Sequence, residues 1–227
     1  MSIKALILML CLCVTLMYGQ KPEKPDSSVS DYRPGDHELF FMPTAYTMPA
    51  GRVYLSDYEL FFLNVTVSVT PSTHIGAFML FPVVTGFYKS ISFGIKQNYI
   101  NTPYFQSAAF ASAAFDGGYW VFGNIFSIGP KKTSFHLGVG YAKFSDSPGF
   151  TLIMAGIKLN ISNSVAVIAE YSNTKELLDD NFNGFLTVGF RFISDKACFE
   201  VAGIRPMTDS DIGHLLLFPY VKATFYF

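Results

Sequence analysis

The chain has 227 residues and a net charge of −1, with 50% hydrophobic and 17% aromatic residues against a charged fraction of 15%. Near-neutral charge gives no footprint for nucleic acid, and the apolar load is too high for a disordered chain. Of three cysteines only Cys198 lies beyond the first twenty residues, which excludes an intramolecular disulfide framework and a cysteine-based zinc site.

The N-terminus reads as a targeting segment. Lys4 precedes an apolar run from Ala5 to Tyr18, and Gly19-Gln20-Lys21-Pro22 breaks it, so residues 1–19 are expected to be a secretory signal peptide. The run is shorter than the roughly 20 residues a spanning helix needs. Cys11 and Cys13 lie inside it without small residues just ahead, which argues against lipidation. Residues 20–50 are Pro-rich and charged, as in Lys21-Pro22-Glu23-Lys24-Pro25-Asp26, and predict an extended segment. It is read either as a periplasmic tail or as a plug entering a lumen, with Phe40, Phe41 and Met42 as an apolar anchor.

From Gly51 onward the pattern has period two. Leu63, Val65, Val67 and Val69 alternate with Asn64, Thr66, Ser68 and Thr70; after Pro71-Ser72-Thr73 the alternation resumes with Ile75, Ala77, Met79 and Phe81. The same signature returns at Phe135–Tyr141, Ile153–Leu159, Val165–Tyr171, Leu186–Phe192, Ala197–Val201 and Val221–Phe227. Weaker runs near 51–61, 89–98, 104–115 and 118–128 bring the strand count to about twelve, with ten as the alternative because Gln106–Ala114 is Ala-rich and Tyr119–Ser127 is bulky on both faces. Short turns after 70, 160 and 193 alternate with longer polar loops near 143–149, 173–181 and 206–214. A lipocalin-like or sandwich protein would need polar outer faces, whereas here the purely apolar face is the one left to point outward. The expected fold is therefore all-β: a closed antiparallel transmembrane β-barrel over residues 51–227, with short turns periplasmic.

Turning the apolar face outward sends the charges into the lumen. Lys158, Glu170, Arg191, Glu200 and Lys222 fall on five successive strands with alternating sign; Lys96 lies on an earlier one, and Asp57 and Glu59 on the first. Two readings use these residues: a salt-bridge network that fills the lumen, or a charged constriction that selects solutes. Closure of the last strand on the first predicts Lys222 facing Asp57 or Glu59. Tyr54, Tyr58, Trp120, Tyr141 and Tyr171 are candidates for interfacial aromatic girdles.

The final strand, with Val221, Ala223, Phe225 and Phe227 on one face, would be an aggregation template in water. With the terminal Phe227 and Phe225 two positions before it, the chain resembles bacterial outer-membrane β-barrel proteins, in particular the small barrels of Bacteroidota. That resemblance covers about residues 50–227 and implies that Phe225 and Phe227 act as the insertion signal read by the barrel-assembly machinery, with outer-membrane lipid as the surroundings. Within the family it says little about activity.

The expected function is a small pore or transporter for modest-sized solutes. A closed-lumen structural or interaction barrel docking envelope partners is the alternative. A lipid hydrolase is the minor one: Ser134 and His136 share a strand face, but no carboxylate or amide orients the histidine, and Leu137-Gly138-Val139 follows it where barrel phospholipases carry an Asn-containing signature. His37, His74 and His214 lack ligand spacing, and the acidic loop of Glu176, Asp179 and Asp180 reads as solvated, so no metal or cofactor is expected.

Overall fold

A computed structural model describes residues 32–80, 90–145, 148–173, 182–208 and 217–227. Residues 1–31, with the expected signal peptide, the acidic residues Glu176, Asp179 and Asp180, and His214 lie outside the described residues.

Alternating sequence produces strands throughout: β1 Val53–Tyr58, β2 Phe62–Thr70, β3 Thr73–Leu80, β4 Ser92–Asn101, β5 Phe105–Ala114, β6 Tyr119–Ile128, β7 Thr133–Phe144, β8 Phe150–Asn160, β9 Val165–Ser172, β10 Phe182–Ile193, β11 Ala197–Thr208 and β12 Phe218–Tyr226. Each pairs antiparallel with the next, and β12 closes on β1 with Tyr54 opposite Tyr226 and Tyr58 opposite Lys222. The barrel has twelve strands, not ten. Ala-rich β5 is ladder-paired along its length to β4 and β6, and bulky β6 resolves into an inner row of Gly123, Ile125 and Ser127 and an outer row of Trp120 and Phe122.

Closure removes every sheet edge, so all backbone groups of the wall can be paired within it. Outward residues such as Phe93, Phe122, Phe190 and Phe199 stay about half exposed, at 47–53%, while their inward neighbours are buried. An apolar belt of that size facing water would be strongly unfavourable; facing hydrocarbon it is the stable arrangement, and the fold is that of a transmembrane barrel.

The connections sort the barrel into two ends. At one end lie the turns β2–β3, β4–β5, β6–β7, β8–β9 and β10–β11, together with the start of β1 and the end of β12; the longer connections β3–β4, β9–β10 and β11–β12 lie at the other. The β1–β2 hairpin, also at the second end, turns through Glu59 and Leu60 at φ 57° and 64°, and Phe61 N donates to Tyr58 O at 3.1 Å. The turn from Tyr58 to Phe61 has the left-handed backbone of a type I′ turn at both central positions, met here without glycine.

The expected polar interior is confined to part of the lumen. Buried polar groups crowd the short-turn half and the middle, whereas Phe62, Phe78, Phe110, Leu152 and Ile204 line the inner wall toward the other end.

Candidate functional site

Residues 32–48 occupy the lumen as a hairpin that enters and leaves at the short-turn end. Leu39 N donates to Met42 O at 2.8 Å and Thr44 N to His37 O at 3.0 Å, with a bridge between Glu38 and Pro43. Leu39, Phe40, Met42, Ala45, Tyr46 and Met48 are all 2% exposed or less, and Leu39, Phe40, Met42 and Ala45 pack in a cluster with Ala108, Ile125, Met154 and Ile168 of the wall. Only the tip residue Phe41 emerges, 50% exposed, its ring 4.6 Å from that of Tyr220.

The inward charges meet this hairpin rather than simply one another. Glu170 accepts three backbone N–H groups at the tip, from Phe40 at 2.9 Å, Phe41 at 3.1 Å and Met42 at 3.0 Å. Arg191 donates to the carbonyls of Glu38 at 2.9 Å and Leu39 at 2.8 Å, and to that of Gly35. Gly35 sits at φ 87°, and a Cβ there would run into the Arg191 side chain. Lys158 pairs with Asp36 at 2.5 Å. Lys222 pairs with Glu38 at 2.8 Å and donates to Phe40 O at 3.1 Å. Glu200, 2.7 Å from Arg191 and 3.7 Å from Lys222, holds those two cations in place. Lys96 places its three ammonium hydrogens on the carbonyls of His37, Thr44 and Tyr46 at 2.8–3.0 Å. A buried charge needs this much compensation, since losing one partner typically costs about 3–5 kcal/mol.

The returning arm is held largely by neutral groups. Ala45 N donates to Ser127 Oγ at 2.9 Å, Asn98 Nδ2 to Ala45 O at 2.8 Å, Met48 N to His74 Nε2 at 2.9 Å, and Ser68 Oγ to Met48 O at 3.0 Å. The pair singled out as a hydrolase candidate has a docking role in this arrangement. His136 is fully buried, both ring nitrogens are engaged by Ser127 at 2.8 Å and Ser134 at 2.9 Å, and Tyr46 stacks edge-on against it.

Two expectations about β1 are corrected. Its inward row is Tyr54, Ser56 and Tyr58, so Asp57 points outward, opposite Ala223 and Leu63, with Oδ1 buried and without a hydrogen-bond partner among the described residues. Glu59 lies in the turn and accepts from Val221 N at 2.7 Å. Neither faces Lys222, whose cross-strand partner is Tyr58 and whose counter-ion is Glu38. Tyr54 and Tyr58 face the hairpin at 5% and 9% exposure instead of lying in a girdle, because their hydroxyls and rings are needed there: Tyr58 donates to Glu38 at 3.0 Å, and His37 sits 4.0 Å from Tyr54. Trp120 and Tyr141 do lie outside, with ring centroids 5.5 Å apart.

The hairpin supplies the residues that the sequence reading passed over. Burial pushes His37 down to about 4, with Glu38 opposing the shift and Lys96 and Lys222 adding to it. Burial acts to raise the Glu38 carboxyl, but Lys222 and His37 outweigh it and hold it well below the usual carboxylate range. The signal in the sequence was Asp36-His37-Glu38 set between Gly35 and the apolar Leu39-Phe40-Phe41-Met42, too compact a charge cluster for a plain linker.

No family model matches the chain, and no curated protein matches it in sequence. Solved structures do match in fold. A KdgM porin in complex with disordered oligogalacturonate has a TM-score of 0.52 at 8% identity, covering 77% of this chain and 96% of its own. The Acinetobacter baumannii outer membrane protein Omp33 gives 0.45 at 10% identity, covering 78% and 97%. A mutant of the Rh. blastica porin gives 0.43 at 12%, covering 73% of this chain and 55% of its own. The chain therefore has the twelve-stranded outer-membrane barrel fold, similar to that of the KdgM porin.

Proposed function

We propose that the chain is an outer-membrane pore or transporter for modest-sized solutes, with residues 32–48 as its plug. One observation carries the reading. The plug is fastened through hydrogen bonds and ion pairs from the side chains of β4, β8, β9, β10 and β12, a mode of attachment that water can replace group by group. A permanently closed barrel has no need for buried cations reading backbone carbonyls; an apolar core of the same volume is commonly as stable or more so.

The short turns then face the periplasm, so the plug inserts from that side. Residues 1–19 act as the signal peptide. Phe225 and Phe227 carry the address read by the barrel-assembly machinery, as in the Bacteroidota barrels the terminal strand resembles.

Planar-bilayer recording tests the function. Wild-type protein is expected to stay closed or open rarely, and a variant lacking residues 32–48 to give discrete conductance steps, with heat-dependent gel mobility reporting that its barrel has formed. Absence of conductance in a correctly formed deletion variant would establish the closed-lumen structural barrel instead.

A further inference from the structure

The plug fills the lumen unevenly. Its ascending arm lies against β8–β12, but between it and the wall of β2–β6 a cavity of about 360 Å³ remains. The gap exists because the inward residues there are small: Gly76, Gly94, Ser92 and Ser112. Along β3 it extends from His74 to Phe78, about 13 Å at a strand's rise per residue. Its size lies within the range of small-ligand sites.

Its chemistry is specific. The charges that border it are already engaged: Lys96 by three carbonyls, and Glu38 by Lys222, Tyr58 and His37. Among the neutral groups Asn64, Thr66 and Tyr54 bond one another, but three others are not engaged. His74 Nε2 accepts from Met48 N, so the neutral ring carries its hydrogen on Nδ1, a donor without a partner among the described residues. The hydroxyls of Ser92, 1% exposed, and of Ser112 likewise make no side-chain hydrogen bond among the described residues, and both residues border the cavity. Phe78, Phe110 and Tyr119 add aromatic surface. A charged solute would lose its hydration here without gaining a free counter-charge, which is costly. A solute with several hydroxyls and apolar C–H faces is suited by both the unengaged donors and the rings.

We propose that this cavity is a binding site for a small uncharged polyhydroxylated solute of monosaccharide size. Binding itself stands apart from the pore reading; only its role as a station on a transport path rests on that reading.

The test is equilibrium dialysis of the purified full-length protein in detergent against radiolabelled D-glucose, with D-gluconate and D-glucosamine in parallel. Saturable millimolar binding of glucose is expected, with the charged sugars at least about tenfold weaker. Gly94→Leu is the occupying variant, since a Cβ at Gly94 meets its nearest neighbour, Ala111 O, at an ordinary 3.5 Å and a longer side chain projects into the gap. It should weaken glucose binding at least about tenfold while keeping heat-dependent gel mobility. Ser92→Ala combined with Ser112→Ala, which needs no added volume, should weaken it about tenfold on its own. Absence of saturable glucose binding, equal binding of gluconate, or unchanged binding in the serine pair or in a correctly formed Gly94→Leu would overturn the proposal. Failure of the pore reading registers separately, as a plug-deletion variant that does not conduct while glucose still binds.

Discussion

Glu170 is the side chain that accepts all three backbone N–H groups at the tip of the plug, and Glu170→Gln isolates that contribution with almost no change in volume. In the wild type one oxygen accepts from Phe40 N and Phe41 N and the other from Met42 N, at 2.9–3.1 Å. A glutamine keeps one acceptor oxygen and turns an NH2 toward the remaining N–H. The two retained bonds lose their charge assistance, about 1 kcal/mol each, and the third donor is left buried and unpaired, about 1–3 kcal/mol. Together the plug's closed state should lose roughly 3–5 kcal/mol, or about two to three and a half powers of ten in its equilibrium against an open state. Single-channel recording reads this directly as a rise in open probability, with a unit conductance equal to that of the variant lacking residues 32–48. Equal open probability in Glu170→Gln and wild type, in a preparation where the deletion variant conducts, would refute the claim that this carboxylate latches the tip.

Acid should weaken the hold of His37 and Glu38 on the docked hairpin. His37 falls from an ordinary 6.5 to about 4 on docking, so the undocked hairpin binds the extra proton. Its contribution is complete above pH 6.5 and is lost as pH falls toward 4, roughly 3 kcal/mol at about 1.4 kcal/mol per pH unit. Glu38, held below its ordinary range, acts in the same sense from about pH 4.5 downward; the His37 contribution should show as a difference in open probability between wild type and His37→Phe that grows between pH 6.5 and 4 and vanishes on return to neutral. The groups facing His37, namely Glu38, Lys96, Lys222, Tyr32, Tyr54, His74 and Tyr226, are unchanged in His37→Phe, which should flatten the upper part of the pH profile. Asp57→Leu should leave conductance unaltered and raise the barrel's thermal transition, because it removes an outward carboxylate beside Ala223 and Leu63; a changed conductance would show that Asp57 reaches the lumen. Removing Phe227 should lower the amount of barrel inserted in cells while leaving the refolded barrel's melting temperature nearly unchanged, as expected of an address rather than a packing residue.

The barrel was legible because lipid and lumen impose opposite demands on successive residues, and a period of two survives in any strand long enough to show it. β1 escaped that logic. Each of its faces mixes one polar residue with larger apolar ones, Tyr54-Ser56-Tyr58 against Val53-Leu55-Asp57, and the deciding factor is the hairpin that the tyrosines touch. A strand whose inner neighbour is protein rather than water can turn aromatic residues inward, and period alone does not reveal which surroundings apply. The plug itself was harder to read. Its contacts with the ionic side of the wall join residues more than a hundred positions apart, as in Asp36 to Lys158, and many of them involve backbone groups that carry no mark in the side-chain sequence.

The two arms of the plug are fastened by different chemistry, and that difference bears on how such a lumen opens. The ascending arm and tip meet Lys158, Glu170, Arg191 and Lys222, four buried ionic groups whose release all at once would strand charges in a poorly solvated interior. The returning arm from Thr44 to Met48 meets Lys96 and otherwise serine, histidine and asparagine groups, whose separation costs about 1 kcal/mol per bond once water enters. The cavity along β2–β6 is bordered by His37, Glu38 and Pro43 of the plug and by His74 and Lys96, the two wall side chains that also hold the returning arm. Peeling the returning arm would join the cavity to the short-turn end while leaving the ionic anchorage of the other arm intact. Opening by stages therefore needs far less free energy than expulsion of the whole hairpin, and Lys96 is the one charge that must give way first. Lys96→Met, which keeps the stem and removes the three donors, should accordingly raise open probability at neutral pH even though every ion pair of the ascending arm remains.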